Sequence, residues 1–356
     1  MSQVRKLDFT GQSFFCGIDV HKKSWSVCIR DNERELQKFS QNPDPDLLSS
    51  RLKKYYPGGD IKIVYEAGFS GYWAQEQLAK EGFNCKIVHA ADVPQTDNNR
   101  RYKTDTVDCR KLAFELSKGT LNFIHIPLSS TIENRSLVRS RQQLIRDQTR
   151  YKNRIISFLD FMGIRIPEGY KKSTHFSKPF LIWLLALDLA VNSKNALNIK
   201  VNMLISIREQ LLLVNKQLKA INNDPQYSSF IKLLMSIPGI GWLSAITLLT
   251  ELEDITRFRN FDHLCSYVGF KPDIYSSGEK AVVKGITRHC NHLLRETLVE
   301  CSWMAIGKDP ALTQAYYGYK KRMHYNKAIL RIAKKLLNRV RYVLINEQPY
   351  EGGIVE

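Results

Sequence analysis

The chain has 356 residues, with 53 Lys and Arg against 35 Asp and Glu, a formal net charge of +18 and 43% hydrophobic residues. This length and apolar fraction exclude a disordered tail or a small disulfide-stapled domain and leave room for two or three packed domains. The positive excess points to a polyanionic partner, most commonly nucleic acid, and it is clustered: Lys320 to Arg341 holds nine Lys/Arg and no acid, and Thr131 to His175 ten against four acids.

Residues 1–12 read as a loose arm. Phe14 to Val20 and Ser24 to Ile29 read as two strands joined by a turn through His21-Lys22-Lys23. Asp19 interrupts an apolar strand, where a carboxylate is costly unless paired or metal-bound. The plain alternative is an aspartate at a strand-end turn. A helix over Asp46–Tyr56, a turn over 57–60, a strand over Ile61–Tyr65, a helix over Gly71–Glu81 and a strand over Asn84–His89 follow. This order predicts a mixed α/β domain over 13–125. Glu66 falls just past a strand's C-terminal end, where open α/β sheets place their ligands. Lys103-Thr-Asp105-Thr-Val-Asp108 then opens an amphipathic helix. Asp105 and Asp108 share a helix face near the positive end of its dipole. Such a pair suits a hard cation such as Mg²⁺, and equally an ordinary N-terminal cap. Asp19, Glu66, Asp105 and Asp108 together could hold two Mg²⁺ ions for phosphodiester chemistry. Arg100, Arg101 and Lys103, just upstream, would approach a nucleic-acid backbone.

Thr131 to Met162 reads as a long basic helix or helix pair. Beyond it, Leu204, Ile207, Leu211, Val214, Leu218 and Ile221 step by 3, 4, 3, 4 and 3, an a/d seam. Leu197 extends that seam backwards and Lys200 does not. The seam either packs inside the chain against 131–162 or joins copies, and a helical coiled-coil module is expected over 126–224. Asn222 to Pro225 marks a boundary. A mostly helical domain should follow over 225–346, with a tail over 347–356. It opens with helix, Pro238-Gly-Ile-Gly241 and helix, a helix-hairpin-helix pattern in which Gly239 and Gly241 would let the backbone approach a phosphate; a plain helical turn is the alternative. Helices are expected over Phe258–Val268 and His292–Ile306. The basic loop between them carries Ser276, Ser277, Lys280, Lys284 and Arg288. A serine there is either a turn residue or a nucleophile towards DNA phosphorus. From Tyr316 to Ile345, Tyr316, Tyr317, Tyr319, Tyr325 and Tyr342 stand among basic residues, which suits stacking and phosphate contact on nucleic acid; a surface helix with core tyrosines is the plain alternative.

The seven cysteines, at 16, 28, 85, 109, 265, 290 and 301, are scattered without a Cys-x-x-Cys pair. That pattern suits a reducing cytoplasm, and His289-Cys290-Asn291-His292 lacks a standard zinc spacing. The longest apolar run, Phe180 to Val191, is short for a membrane span and contains Asp188. No membrane partner and a cytoplasmic, nucleoid-associated protein are expected.

Gly17-Ile-Asp19-Val-His-Lys22, Tyr65-Glu66-Ala-Gly68 and Lys103-Thr-Asp105-Thr-Val-Asp108 resemble the signature of the DEDD-type insertion-sequence transposases. Pro238-Gly-Ile-Gly241, Tyr267-Val-Gly269, Ser276-Ser-Gly278 and Gly285-Ile-Thr-Arg288 are similar to successive motifs of that family's C-terminal transposase domain. Cys290 stands where the family usually has a small residue. The resemblance implies an RNase H/RuvC-like N-terminal domain and Mg²⁺ (or Mn²⁺) held by Asp19, Glu66, Asp105 and Asp108. It also implies a serine nucleophile, best placed at Ser277 with Ser276 second, and a homo-oligomer, dimer or tetramer, assembled through the coiled-coil module. The partners implied are element-end and target DNA and a structured guide RNA. A RuvC-like Holliday-junction resolvase and a non-catalytic nucleic-acid-binding protein are the competing functions.

Overall fold

The computed structural model describes residues 7–94, 105–170, 175–277, 280–287 and 290–352, by backbone alone at 105–108, 273–277 and 280–284. The chain divides into two compact units, Met1–Ile126 and Pro127–Glu356.

The first unit is built on a 5-stranded sheet of β1 (Ser13–Val20), β2 (Trp25–Arg30), β3 (Glu35–Gln41), β4 (Asp60–Glu66) and β5 (Asn84–Val88), in the order β3-β2-β1-β4-β5. β1 pairs antiparallel with β2 and β2 with β3, whereas β4 runs parallel to both β1 and β5. This mixed α/β sheet is compatible with an RNase H/RuvC-like domain. Both faces of β1 are covered, so its apolar run is nearly continuous. Phe14, Cys16 and Ile18 pack with Leu48 and Leu52 of α1 (Pro45–Tyr55) and Leu78 of α2 (Trp73–Lys80). On the opposite face, Phe15 and Val64 pack with Leu112 and Leu116 of α3 (Asp105–Lys118). The sequence reading does not anticipate β3. Its Glu35-Leu-Gln-Lys-Phe-Ser-Gln41 is too polar to signal a strand, and it forms as an edge strand with one neighbour. Arg110 of α3 grips it, donating two hydrogen bonds to Glu35 at 2.8 and 3.0 Å.

The second unit begins with α4 (Ser129–Phe161), a single continuous helix, then α5 (Lys178–Ala186) and α6 (Val191–Ile221). Val138 of α4 clusters with Val214, Leu218 and Ile221, and Ile155 and Leu159 with Leu197, Val201 and Leu204. The two long helices are therefore antiparallel, and the a/d seam is filled from within the chain. It continues back from Leu204 through Val201, not Lys200, to Leu197. The ranges 126–224 and 225–346, read separately above, fall from residue 127 onward in one compact unit. The first turns of α4 explain this, because Arg135 donates to the backbone carbonyl of Thr250 at 2.9 Å.

The remaining helices α7 (Pro225–Met235), α8 (Trp242–Leu252), α9 (Phe261–Val268), α10 (His292–Ile306), α11 (Pro310–Lys320) and α12 (Tyr325–Asn346) share one core. Between α9 and α10 the expected loop is instead an antiparallel ribbon, β6 (Pro272–Ser277) and β7 (Lys280–Ile286). Two short runs with strand-favouring residues, Ile274-Tyr275 and Val282-Val283, flank Ser277-Gly278 and pair across the ribbon, Ile274 with Val283 and Tyr275 with Val282. Among the described residues, no helix is long and apolar enough to cross a membrane.

Asp309 fastens α11 to α12. It caps α11 through the N–H of Leu312 at 2.8 Å and takes Arg339 at 2.5 Å. Burial alone would push its carboxyl up, but the Arg339 guanidinium and the Leu312 N–H hold it below the usual aspartate value. The folded state thus binds this proton more weakly than the unfolded chain. The stabilisation is whole above about pH 4, the ordinary aspartate value, and is lost as pH falls through the lowered one. Asp309→Asn is expected to lower stability at neutral pH, by about 2 kcal/mol. In urea titrations its deficit relative to wild type should shrink as pH falls below about 4; a pH-independent deficit would contradict the ion pair.

Candidate active site

Asp19 is the penultimate residue of β1 and Glu66 the last of β4. The parallel register pairs Gly17 with Val64 and Ile18 with Tyr65, so Asp19 and Glu66 end neighbouring strands, about 4.8 Å apart in a sheet. Side chains alternate along a strand. Asp19 therefore follows Phe15 and Gly17, and Glu66 follows Val64, onto the face that carries α3. Both sit at the C-terminal edge of that face. The Asp19 side chain is only 17% exposed and meets Nε2 of His21 at 3.0 Å. His21, which the sequence places in a plain turn, is thus part of this edge.

Gly17 sets where α3 lies. A Cβ there would collide with the backbone carbonyl of Cys109 and come within 2.5 Å of the N–H of Ala113. The helix thus crosses β1 in direct backbone contact. Cys109 lies over Gly17, and Leu112 and Leu116 lie towards Phe15, so α3 runs opposite to β1. Its N-terminal turn, with positions 105 and 108, therefore heads for the strand end that bears Asp19. The charge of Asp19 also reaches Cys109: burial chiefly raises that thiol, and Asp19 raises it further. The side chains of Asp105 and Asp108 lie outside the described residues, as do Arg100, Arg101 and Lys103. Among the described residues no group of three or more His, Cys, Asp or Glu forms a metal cluster. The donor chemistry nevertheless fits a hard cation, with carboxylates on adjacent strand ends and a helix start aimed at them.

In the second unit, Ser276 pairs with Ala281 and Ser277 with Lys280, so Ser277 closes the last pair before the ribbon's tip. The serine and lysine side chains, those of Lys280 and Lys284 included, lie outside the described residues, as do Gly278 and the whole of Arg288. The ribbon's base is well tied. Arg295 of α10 donates to the carbonyl of Thr287 at 2.9 Å and to that of Gly269 at 3.4 Å, bridging the segments before β6 and after β7. Gly269 caps α9 with φ +89°, and a Cβ on it would come within 2.5 Å of the Cys290 sulfur. Cys290 thus fills the space that this glycine leaves. The N–H of Asn291 donates to Tyr267 at 2.8 Å and its amide to Glu251 at 2.7 Å. Glu251 has a fully buried side chain and takes a bidentate fork from Arg139 at 2.8 and 2.9 Å, with Arg135 Nε at 3.8 Å. This lock was legible in one respect only: a lone carboxylate stands in the apolar stretch Ala245 to Leu252.

The Pro238-Gly-Ile-Gly241 turn does join two helices, α7 and α8. Gly239, however, has φ +93° and turns its bare Cα onto α10, where a Cβ would meet the Cys301 carbonyl and Ala305 at 2.8 Å. Its lack of a side chain serves internal packing. Gly241 is exposed, with open space around it.

Residues 16–164 match the DEDD model of the IS110-type transposases, and residues 231–318 match the model described as the transposase IS116/IS110/IS902 family. The chain is 27% identical over 242 residues to the transposase of insertion sequence element IS1111A from Coxiella burnetii, covering 67% of this chain and 64% of that protein. It is 26% identical over 295 residues to the putative transposase y4qE of Sinorhizobium fredii, covering 81% and 71%. The transposase of element IS1533 from Leptospira borgpetersenii is 25% identical over 305 residues, covering 81% and 84%. The match thus spans just under two thirds of the first relative's length and more of the other two. With both of its characteristic regions matched in order along one chain, this protein belongs to the IS110 family of DEDD transposases, a family of DNA-recombining enzymes.

Proposed function

We propose that this chain cuts and rejoins DNA strands at the ends of a mobile insertion element, with Ser277 as the nucleophile and Asp19, Glu66, Asp105 and Asp108 as the ligands of Mg²⁺ or Mn²⁺. The observation that carries this reading is the placement of Asp19 and Glu66 on adjacent strand ends, on the face and at the edge where α3 begins. When bound, the metal supplies positive charge that polarises the phosphodiester. Asp19 and Glu66 present carboxylate oxygens towards that edge, and His21 holds Asp19 in place. The start of α3 adds the positive end of its dipole. At the ribbon, the Ser277 Oγ forms a bond to phosphorus as the bond to the leaving sugar oxygen breaks. The hydroxyl proton is given up and the leaving oxygen takes one, which leaves a phosphoserine ester. Arg100, Arg101, Lys103, Lys280, Lys284 and Arg288 would neutralise backbone phosphates, and the exposed Gly241, with open space around it, would let the 238–241 turn approach one. A structured guide RNA and a dimer or tetramer belong to the same proposal.

The test is a denaturing gel for covalent protein–DNA adducts, with Mg²⁺, element-end DNA and co-purified RNA. Wild type and Ser276→Ala are expected to form the adduct, and Ser277→Ala and Asp19→Ala to lose it. Metal-dependent cutting that persists in Ser277→Ala, with no adduct in any variant, would replace this reading with a water-using junction resolvase.

A further inference from the structure

α9, α11 and α12 line an open surface cavity of about 490 Å³. Its apolar wall includes Phe261 and Tyr319, and its rim carries Arg331, Lys334, Lys335 and Arg339. These cations lie on one stripe of α12. Arg331 and Lys335 are four residues apart, and so are Lys335 and Arg339. Like charges at that spacing destabilise a helix, so the stripe weakens the element that bears it unless an anion joins it.

The four cations are not equivalent. Arg339 is committed to Asp309 at 2.5 Å and lies under the ring of Tyr350. Lys334 stands over Phe261 and is 3.9 Å from Asp262, whose side chain is 73% exposed, a screened and weak pairing. Arg331 and Lys335 are exposed and make no ion pair with a described residue. One cation therefore fixes the wall, and two present their charge at the mouth. Among the described residues, Asp262 and Asp309 are the acids seen against this stripe, and each already has a cation.

We infer that this cavity is a nucleic-acid subsite, in which Arg331 and Lys335 bind backbone phosphates while Phe261 and Tyr319 face the adjoining sugar or base. The occupant's chemistry follows from the cations at an apolar hollow and from a chain of net charge +18. A cavity of this size accepts a nucleotide-sized group. The inference rests on the transposase reading only for nucleic acid being the polyanion. The site belongs to the second unit and is separate from the Ser277 ribbon in sequence and in lining residues.

The test is fluorescence anisotropy on the full chain, with a short DNA duplex in one arm and an RNA hairpin in the other, over a salt series. The double variant Arg331→Gln with Lys335→Gln is expected to lower the slope of log affinity against log salt by about 1.8 on the duplex, or by about 1.4 on a single-stranded contact. Loss in one arm alone assigns the occupant to DNA or RNA. Lys53→Gln with Lys54→Gln removes the same charge from α1 and should change the slope by less than half as much. Wild-type binding with an unchanged slope, or an equal effect of the α1 variant, would overturn the subsite and leave the transposase reading intact. Absence of wild-type binding to either nucleic acid would overturn both. Thermal melts of the double variant should match wild type or rise slightly, because neither residue is tied into the fold and their mutual repulsion along α12 is relieved.

Discussion

Replacing Glu251 with alanine is expected to destabilise the second unit by about 3–5 kcal/mol in urea unfolding, the usual result of removing one partner from a buried charge cluster. Its side chain is fully buried and Arg135 is nearly so. Without the carboxylate, Arg135 keeps only its hydrogen bond to the Thr250 carbonyl. Arg139, more than half exposed, can turn to water. Most of the cost therefore belongs to Arg135, and adding Arg135→Met to Glu251→Ala should recover a large part of it. If the double variant is no more stable than Glu251→Ala, the cluster is not the source of the loss. Asn291 also loses its partner in this variant. Asn291 anchors the segment that returns from the ribbon to α10, so yield of the covalent adduct is expected to fall although Ser277 is untouched.

Gly17→Ala is the second large effect. The new methyl would meet the Cys109 carbonyl and the Ala113 N–H, both backbone atoms that cannot rotate away. Either α3 lifts off β1 or the sheet bends, at a cost of about 3 kcal/mol or more. Gly68→Ala is the control, since nothing lies within 4 Å of its Cβ and its φ is not positive; it should stay within about 0.5 kcal/mol. Lifting α3 also moves positions 105 and 108 away from Asp19. Stabilisation by Mg²⁺, read as a rise in melting temperature, should therefore be present in wild type and Gly68→Ala and reduced in Gly17→Ala. Equal melting curves for all three proteins would mean that α3 does not rest on Gly17.

Much of the first unit was readable because its strands other than β3 are written as short, mostly apolar runs with few polar interruptions. β1, β4 and β5 fall close to where the pattern puts them, and Asp19 and Glu66 stand out as acids at the ends of such runs. β3 escaped because an edge strand needs little apolar content. The ribbon escaped because Lys280 and Lys284 make β7 read as a basic loop, although Val282 and Val283 are strand-favouring residues. Packing that depends on an absent side chain is also hard to read. Gly17 looks like one residue of a motif and Gly239 like a phosphate-binding glycine, yet each lies against the backbone of a distant helix. The a/d seam was legible as a seam. What fills it was left open between residues 131–162 and a second copy, because heptads specify an apolar stripe and leave the choice of facing helix to the rest of the chain.

The filling of that seam has a mechanical consequence. At about 1.5 Å of rise per residue, about 33 Å of helix separates Arg139, locked to Glu251, from Phe161 at the far end of α4. A second helix is zipped along it by two separate apolar clusters. The pair is therefore a stiff strut, braced at one end by an ion cluster and carrying the exposed Phe161 and Met162 at the other. Its reach is set by residue count, so inserting or deleting one heptad in both helices would shift that tip by about 10 Å while preserving the stripe.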